Sequence, residues 1–216
     1  MTPVEVVQLV RVPMTGRLVT LREPDPRADA AALYPPTHGT PEAESVWTYM
    51  GYGPFPDPGA MSDWMSGTLR SADPLWYTVT RTSDARPLGM VAMMNADPAH
   101  RRLELGHIWY APEAHRRGAN TEAVYLMLRE AFGTFGCRRV EWKCDSLNAP
   151  SRYAAPRLGF TYEGTFRNHM IVKGRNRDTS WYAMTDDEWP QVRENLESWL
   201  DQPDPKASLT ALMTRP

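Results

Sequence analysis

A basic turn between a strand-like segment and a helix-like segment constrains the fold of this chain most. Residues 102–110 are typical of a strand, residues 115–123 form the turn, and residues 120–135 carry apolar side chains at helical spacing. A helix that begins at such a turn presents unpaired backbone N–H groups, where an anion can bind. Gly118 lets the backbone approach that anion, and two arginines precede it. We therefore predict a phosphate or pyrophosphate site at residues 115–123.

The other segments predict a mixed α/β sheet, because strands come first and then alternate with helices. The predicted strands are residues 18–22, 75–81, 88–95, 102–110, 138–144, 160–166 and 179–184, with a basic hairpin at Lys173-Gly174. The predicted helices are residues 41–50, 58–70, 120–135, 150–158 and 186–200, the last with Asp186 as its N-cap. Pro35-Pro36 is expected to break a helix, and residues 202–216 are expected to form a loose tail.

Composition limits the classes of partner. The net charge of −2 argues against electrostatic binding of nucleic acid or of a membrane surface, so any basic site must be local. No apolar run reaches the length of a membrane span, and the N-terminus does not resemble a signal peptide, so we expect a cytoplasmic protein. Cys137 and Cys144 lack metal-ligand spacing and are expected to be free thiols, and we expect no metal.

Three stretches carry a resemblance to a known family: residues 103–123, residues 138–148, and residues 151–178 with their Leu158-Gly-Phe160 signature. In them the chain resembles the GCN5-related N-acetyltransferase (GNAT) superfamily, in particular its ribosomal-protein-acetyltransferase-like (RimJ/RimL-type) branch. The resemblance implies a GNAT fold, in which a mixed, mostly antiparallel central sheet is flanked by helices and splayed to admit acyl-CoA. It also implies a single N-acyltransferase domain over residues 1–201, with acceptor-site helices within 14–100 and a CoA-binding core at 101–185.

The resemblance implies that acetyl-CoA or another acyl-CoA is the co-substrate. His115, Gly118 and Asn120 match the family's phosphate loop, and His115 and Asn120 depart from its usual residue types. Backbone groups of the preceding strand would hold pantetheine and polarise the thioester carbonyl. The residues expected to bind the co-substrate are Ile108, Trp109, Tyr110, His115, Arg116, Arg117, Gly118, Ala119, Asn120, Thr121 and Asn148.

Two residues are expected to move protons. Glu104 matches a general-base glutamate of some relatives, although it could equally be a structural carboxylate paired with Arg102 or Arg139; His107 is the reserve base. Ser151 matches the serine that protonates the leaving thiolate in the ribosomal branch, and Asn148 and Ser151 could also simply cap a helix. Tyr153 is a second candidate donor, re-aimed by a kink at Pro156.

The acceptor is the least defined part of the hypothesis. The aromatic residues within 42–64 predict an apolar or peptide-like primary amine, although about half of them are expected to be core. The basic residues Arg167, His169, Lys173, Arg175 and Arg177 could instead bind an acidic acceptor or a succinyl group, or be a solvated face. Three functions stay open: an N-acyltransferase for a small-molecule or peptide amine, a protein N-terminal acetyltransferase, and a non-catalytic acyl-CoA-binding or scaffold protein. A homodimer is expected to use the sheet edge at residues 179–184 and the C-terminal helix.

Overall fold

The structure is a computed structural model that describes residues 10–115, 118–202 and 208–213. Its eight strands form an open, mixed and mostly antiparallel sheet flanked by helices, which confirms the expected fold class. The strands are β1 Met14–Thr15, β2 Val19–Arg22, β3 Leu75–Arg81, β4 Pro87–Asp97, β5 Arg102–Tyr110, β6 Arg139–Asp145, β7 Thr161–Val172 and β8 Arg175–Thr185.

Seven α-helices surround these strands in the described part of the chain. They are α1 Pro26–Thr37, α2 Pro41–Glu44, α3 Pro58–Thr68, α4 Ala119–Arg129, α5 Ala149–Arg157, α6 Trp189–Asp201 and α7 Leu209–Met213. Among the described residues, no helix is long and apolar enough to cross a membrane.

The chain divides into two compact units. The first, here called the N-terminal unit, comprises Val10–Asn95 and Leu105–Leu126. Its strands are hydrogen-bonded in the order β1-β2-β3-β4-β5, and β2, β3 and β4 pair antiparallel, with Leu21 opposite Val79 and Val79 opposite Gly89. Buried apolar side chains of α1, α3, β3, β4 and β5 form its core.

The second, the C-terminal unit, comprises Ala96–Glu104 and the chain from Met127 onward. Its strand order is β5-β6-β8-β7, and β8 pairs antiparallel with β6 on one side and with β7 on the other. The predicted sheet edge at residues 179–184 is therefore wrong, because β8 lies inside the sheet and β7 lies at its end. The turn between β7 and β8 has positive φ at both Lys173 (48°) and Gly174 (72°), so the predicted hairpin is confirmed.

Three helix predictions before residue 136 need correction. Helix α1 includes Pro35 and Pro36, because both lie in its last turn, after buried Ala30 and Leu33 have anchored it. The predicted helix 41–50 is only α2 followed by a 3₁₀ turn. The predicted helix 120–135 becomes a π-helical turn after residue 129.

The C-terminal predictions also change. Helix α6 begins at Trp189 and not after Asp186, because Pro190 favours the first turn and Glu188 accepts hydrogen bonds from Thr185 instead. The expected loose tail is wrong for residues 208–213, where α7 buries Leu209.

Candidate functional site

Strand β5 changes conformation in the middle. His107 has φ +52°, a left-handed backbone that interrupts the alternation of the strand. Its ring lies 4.4 Å from the Trp76 ring and 5.6 Å from the Tyr52 ring. The expected reserve base is thus part of an aromatic cluster in the N-terminal unit.

After this bulge the strand is held tightly against β4. Trp109 and Tyr110 are buried, and the N–H of Ala111 donates to the carbonyl of Leu88 at 2.8 Å. A Cβ at position 89 would overlap the Trp109 carbonyl oxygen, so Gly89 permits the close approach of the two strands. Burial raises the pKa of the Tyr110 hydroxyl far above its ordinary value, so it remains protonated.

The predicted anion-binding turn leads into α4. A 3₁₀ turn at Pro112–Ala114 precedes His115, which is exposed and extended. Arg116 and Arg117 lie outside the described residues. Gly118 has φ +77°, and its carbonyl accepts the first helical hydrogen bond, from the N–H of Glu122 at 3.0 Å.

This geometry leaves donors at the start of α4. The N–H groups of Ala119 and Asn120 precede the first intrahelical bond, as expected at a helix N-terminus. The left-handed residue is Gly118, and Asn120 lies inside the first helical turn together with the buried Thr121. The side-chain Oδ1 of Asn120 is buried and has no hydrogen-bond donor among the described residues. The turn therefore offers backbone donors and one buried acceptor to a ligand.

In the C-terminal unit, Glu104 is a buried carboxylate with a cationic partner. Lys143 Nζ lies 2.8 Å from its Oε2, and the same ammonium lies 5.1 Å from the centre of the Trp181 ring. The expected arginine partners are wrong, because Arg102 and Arg139 both bind Glu141. Lys143 of β6, rather than either arginine, therefore lies beside Glu104.

Ser151 sits at the start of α5. Its backbone N–H donates to Asn148 Oδ1 at 3.2 Å, and Trp142 Nε1 donates to its Oγ at 3.0 Å. Since an indole N–H can only donate, the hydroxyl proton of Ser151 is not used in this contact. Burial raises the pKa of the neighbouring Cys144 thiol, and a hydrogen bond with Ser151 partly opposes that rise. Tyr153 is 64% exposed and its hydroxyl contacts Thr210 at 3.4 Å.

The sequence profile of the Acetyltransferase (GNAT) domain matches residues 18–161, two thirds of the chain. The chain belongs to the GNAT acetyltransferase family. A crystal structure of a GCN5-related N-acetyltransferase from Brucella melitensis is 34% identical, with a TM-score of 0.89 over 96% of both chains. Mycobacterium smegmatis RimJ, solved with CoA-disulfide, shares the fold at 23% identity and a TM-score of 0.71, over 87% of this chain and 92% of RimJ.

The name of a curated relative supports the assignment to the RimJ-like branch. YdaF of Bacillus subtilis (strain 168), whose name provisionally assigns it as a ribosomal N-acetyltransferase, is 31% identical over 49% of this chain. The match spans 57% of YdaF, and a second B. subtilis relative, YoaA, is matched over 60% of its length. The chain thus spans about three fifths of the curated relatives that it matches.

The aromatic residues expected to wall the acceptor site divide into two groups in this GNAT protein. Trp47 is fully buried in the core of the N-terminal unit, whereas Tyr52, Phe55 and Trp64 are only partly buried around it. Burial thus separates a core residue from partly buried ones, and the role of the latter as walls of an acceptor site stays a prediction.

The basic hairpin residues also have different surroundings. Arg175 pairs with the buried Asp145, and His169 Nδ1 lies 3.0 Å from Thr179 Oγ1. The Nε of Arg177 is buried without a hydrogen-bond partner in the described part of the chain. No group of three or more metal-ligating side chains occurs among the described residues.

Sequence reasoning missed three residues that hold parts of the candidate site or of the aromatic cluster in place: Glu122, Trp142 and His38. Glu122 could have been noticed, because it occupies a position on α4 whose helical neighbours Ala119, Ala123 and Leu126 are apolar and buried. Trp142 contacts Ser151, and His38 contacts Tyr34 and Phe55; the sequence carries no pattern that predicts these contacts.

Proposed function

We propose that this GNAT protein transfers an acetyl group, or another short acyl group such as succinyl, from coenzyme A to a primary amine. The observation that carries the proposal is the start of α4, where Gly118 turns the chain and backbone N–H groups precede the first intrahelical bond. These donors suit the pyrophosphate of coenzyme A. The buried Oδ1 of Asn120 suits one of the hydroxyl or amide donors of the same molecule.

Residues of the phosphate turn and of β5 are proposed to bind the co-substrate. The turn contributes His115, Gly118, Ala119, Asn120 and Thr121, and we keep Arg116 and Arg117 in this set from the sequence. Backbone groups of Ile108, Trp109 and Tyr110 are proposed to hold pantetheine and to polarise the thioester carbonyl. The tight packing of β5 on Gly89 supports this role, since it fixes the strand before substrate binds.

Ser151 is the proposed proton donor to the departing sulfur. Coenzyme A supplies an activated acyl group, whose C–S bond breaks as the amine nitrogen bonds to the carbonyl carbon. The Ser151 hydroxyl accepts from Trp142 in a contact that does not use its own proton, and Asn148 fixes the backbone at Ser151. The exposed Tyr153, whose hydroxyl contacts Thr210, is a weaker candidate.

Glu104 is the proposed acceptor of the proton that the amine loses. Its burial and its contact with Lys143 support a structural role as well, so this assignment needs its own test. In Glu104→Gln, loss of the ion pair with Lys143 is expected to lower the melting temperature whichever role Glu104 has, so the pH–rate profile decides between the roles. Loss of a base would flatten the rise of the rate with pH, whereas a purely structural glutamate would leave the shape of the profile unchanged.

The acceptor is proposed to be an apolar or peptide-like amine, because Tyr52, Phe55 and Trp64 are aromatic and only partly buried. A protein α-amine is the second candidate, favoured by the name of YdaF.

The test is to incubate the purified protein with acetyl-CoA or succinyl-CoA and a panel of amines and N-terminal peptides, and to follow the release of free thiol. Ser151→Ala should slow release by about 100-fold or more, the usual contribution of a positioned proton donor. Glu194→Gln, an exposed change on α6, serves as the control. Tight CoA binding with no turnover of any amine would refute the transferase and favour an acyl-CoA-binding protein.

A further inference from the structure

The β1–β2 hairpin encloses a buried carboxylate that comes from a distant part of the chain. Glu122 is 4% exposed and accepts three backbone hydrogen bonds from the turn. Arg17 N donates to Oε1 at 2.9 Å, and Leu18 N and Val19 N donate to Oε2 at 2.6 and 2.7 Å. The hairpin therefore acts as an anion-binding concavity whose anion is a side chain of α4.

Gly16 makes room for this carboxylate. A Cβ at position 16 would lie 2.5 Å from Glu122 Cδ and 2.6 Å from its Oε2. The carboxylate cannot move aside without losing its hydrogen bonds to the hairpin. Gly16 and Glu122 thus form one contact, although 106 positions separate them in the sequence.

Glu122 also belongs to the first turn of α4. Its backbone N–H donates to the carbonyl of Gly118, the left-handed residue that opens the helix. One residue therefore holds the phosphate turn through its main chain and the β1–β2 hairpin through its side chain. The hydrogen-bonded side chain of Glu122 is thus attached to the helical turn that contains the backbone N–H groups of Ala119 and Asn120.

The hydrogen bonds from the hairpin hold the negative charge of Glu122 away from the ligand side of the helix start. A free carboxylate in the first turn of a helix would occupy the positive end of the helix dipole and repel a bound phosphate. Three charge-assisted hydrogen bonds from the hairpin instead hold the negative charge on the hairpin side. The helix start keeps its own N–H groups for a ligand.

We propose that Glu122, seated on Gly16 and the hairpin N–H groups, is a positioning residue that sets the phosphate turn for the pyrophosphate of coenzyme A. This inference rests on the proposed function and goes beyond it, because Glu122 need not touch coenzyme A or the reacting atoms. It acts through the position of Gly118 and the first turn of α4.

The experiment measures the Kd for coenzyme A by titration calorimetry, without any acceptor, in the wild type and in Glu122→Gln, Gly16→Ala and the double variant. Glu194→Gln is the matched control, because it removes an exposed carboxylate from a helix elsewhere. Glu122→Gln replaces one acceptor oxygen by an amide that faces a backbone donor, and Gly16→Ala pushes on the same carboxylate from the hairpin. Hydrogen exchange at Leu18 and Val19 reports whether the hairpin bonds are lost.

Each single variant should raise the Kd for coenzyme A about tenfold, which corresponds to about 1.4 kcal/mol. The double variant should be no worse than either single variant, because both disrupt one contact. The KM for the amine should stay within about twofold of wild type, as expected when only the co-substrate site shifts. The control should match the wild type in every measurement.

Faster exchange at Leu18 and Val19 with an unchanged Kd would overturn the proposal, since Glu122 would then be structural only. If Glu122→Gln does not fold, the Kd for coenzyme A and the hydrogen exchange of Gly16→Ala are compared with the wild type in the same way. A wild-type protein that does not bind coenzyme A would instead refute the proposed function, a different result from wild-type binding that the variants leave intact.

Discussion

Burial and the hydrogen bond from Phe55 favour the neutral imidazole of His38. The N–H of Phe55 donates to Nε2 at 2.9 Å, so Nδ1 carries the proton and donates to the Tyr34 carbonyl at 3.1 Å. The ring also stacks on Tyr34 at 4.0 Å and is 8% exposed. Burial lowers the pKa of His38, and the Tyr34 carbonyl and then Glu44 oppose this in part. Acidification is therefore expected to destabilise the N-terminal unit.

The sign follows from the lowered pKa. In the unfolded chain histidine titrates near pH 6.5, and in the folded protein His38 titrates below that. The neutral His38 therefore contributes its full share of the folding stability above about pH 6.5. This contribution is lost as the pH falls through the pKa of His38 in the folded protein. A proton on Nε2 would face the N–H of Phe55, so that two donors meet and the Phe55 N–H loses its acceptor. An unpaired buried donor lowers the free energy of unfolding by about 1–3 kcal/mol. A loss of about 2 kcal/mol corresponds to a fall in Tm of roughly 4–8 °C for a chain of this size.

Scanning calorimetry at about pH 7.5 and about pH 5.5 tests this, with His38→Gln as the comparison. Glutamine carries no charge, and its carbonyl oxygen can still accept from Phe55. The other four histidines are common to both proteins, so their contributions cancel in the difference. The variant should lose clearly less stability on acidification than the wild type. An equal fall in Tm in both proteins would refute the reasoning.

Three further predictions concern other parts of the structure. Gly89→Ala should lower the free energy of unfolding by about 2 kcal/mol or more in urea titrations, because its Cβ would overlap the Trp109 backbone; a change below about 0.5 kcal/mol would contradict this. Burial raises the pKa of Cys137 to about 11, so at about pH 8 only roughly one thiol in a thousand is ionised, and Ellman's reagent should label it far more slowly before unfolding than after. The hydrogen bond from Arg139 lowers the pKa of Glu163, so in Arg139→Gln an NMR titration should find the pKa of Glu163 closer to its ordinary value. The free energy of unfolding should change by less than about 1 kcal/mol, since the pair is partly exposed.

Local patterns were sufficient for most elements and for the start of α5. Alternating apolar residues predicted β3, and the Lys173-Gly174 pair predicted the hairpin, because both signals depend on neighbouring residues. Asn148 and Ser151 were expected together at a helix start, and the cap hydrogen bond joins them.

Features set by distant contacts could not be read in this way. Whether Glu104 pairs with Lys143 or with an arginine depends on how β5 and β6 align, which no local pattern records. Asp186 and Glu188 are both acceptable near a helix start, and the hydrogen bonds of Glu188 to Thr185 and Thr161 favour the later residue. The buried charge of Glu122 was visible as an acidic residue among apolar ones, but its hairpin partners were not.

The place of β8 between β6 and β7 has a consequence for synthesis of the chain. A ribosome releases β6 and β7 before residues 175–185, yet β8 pairs with both. Until Arg175–Thr185 has emerged, both earlier strands present an unpaired edge that can recruit another chain. We expect nascent chains that stop before this strand to aggregate, and the last strand to close the C-terminal unit in a single late step.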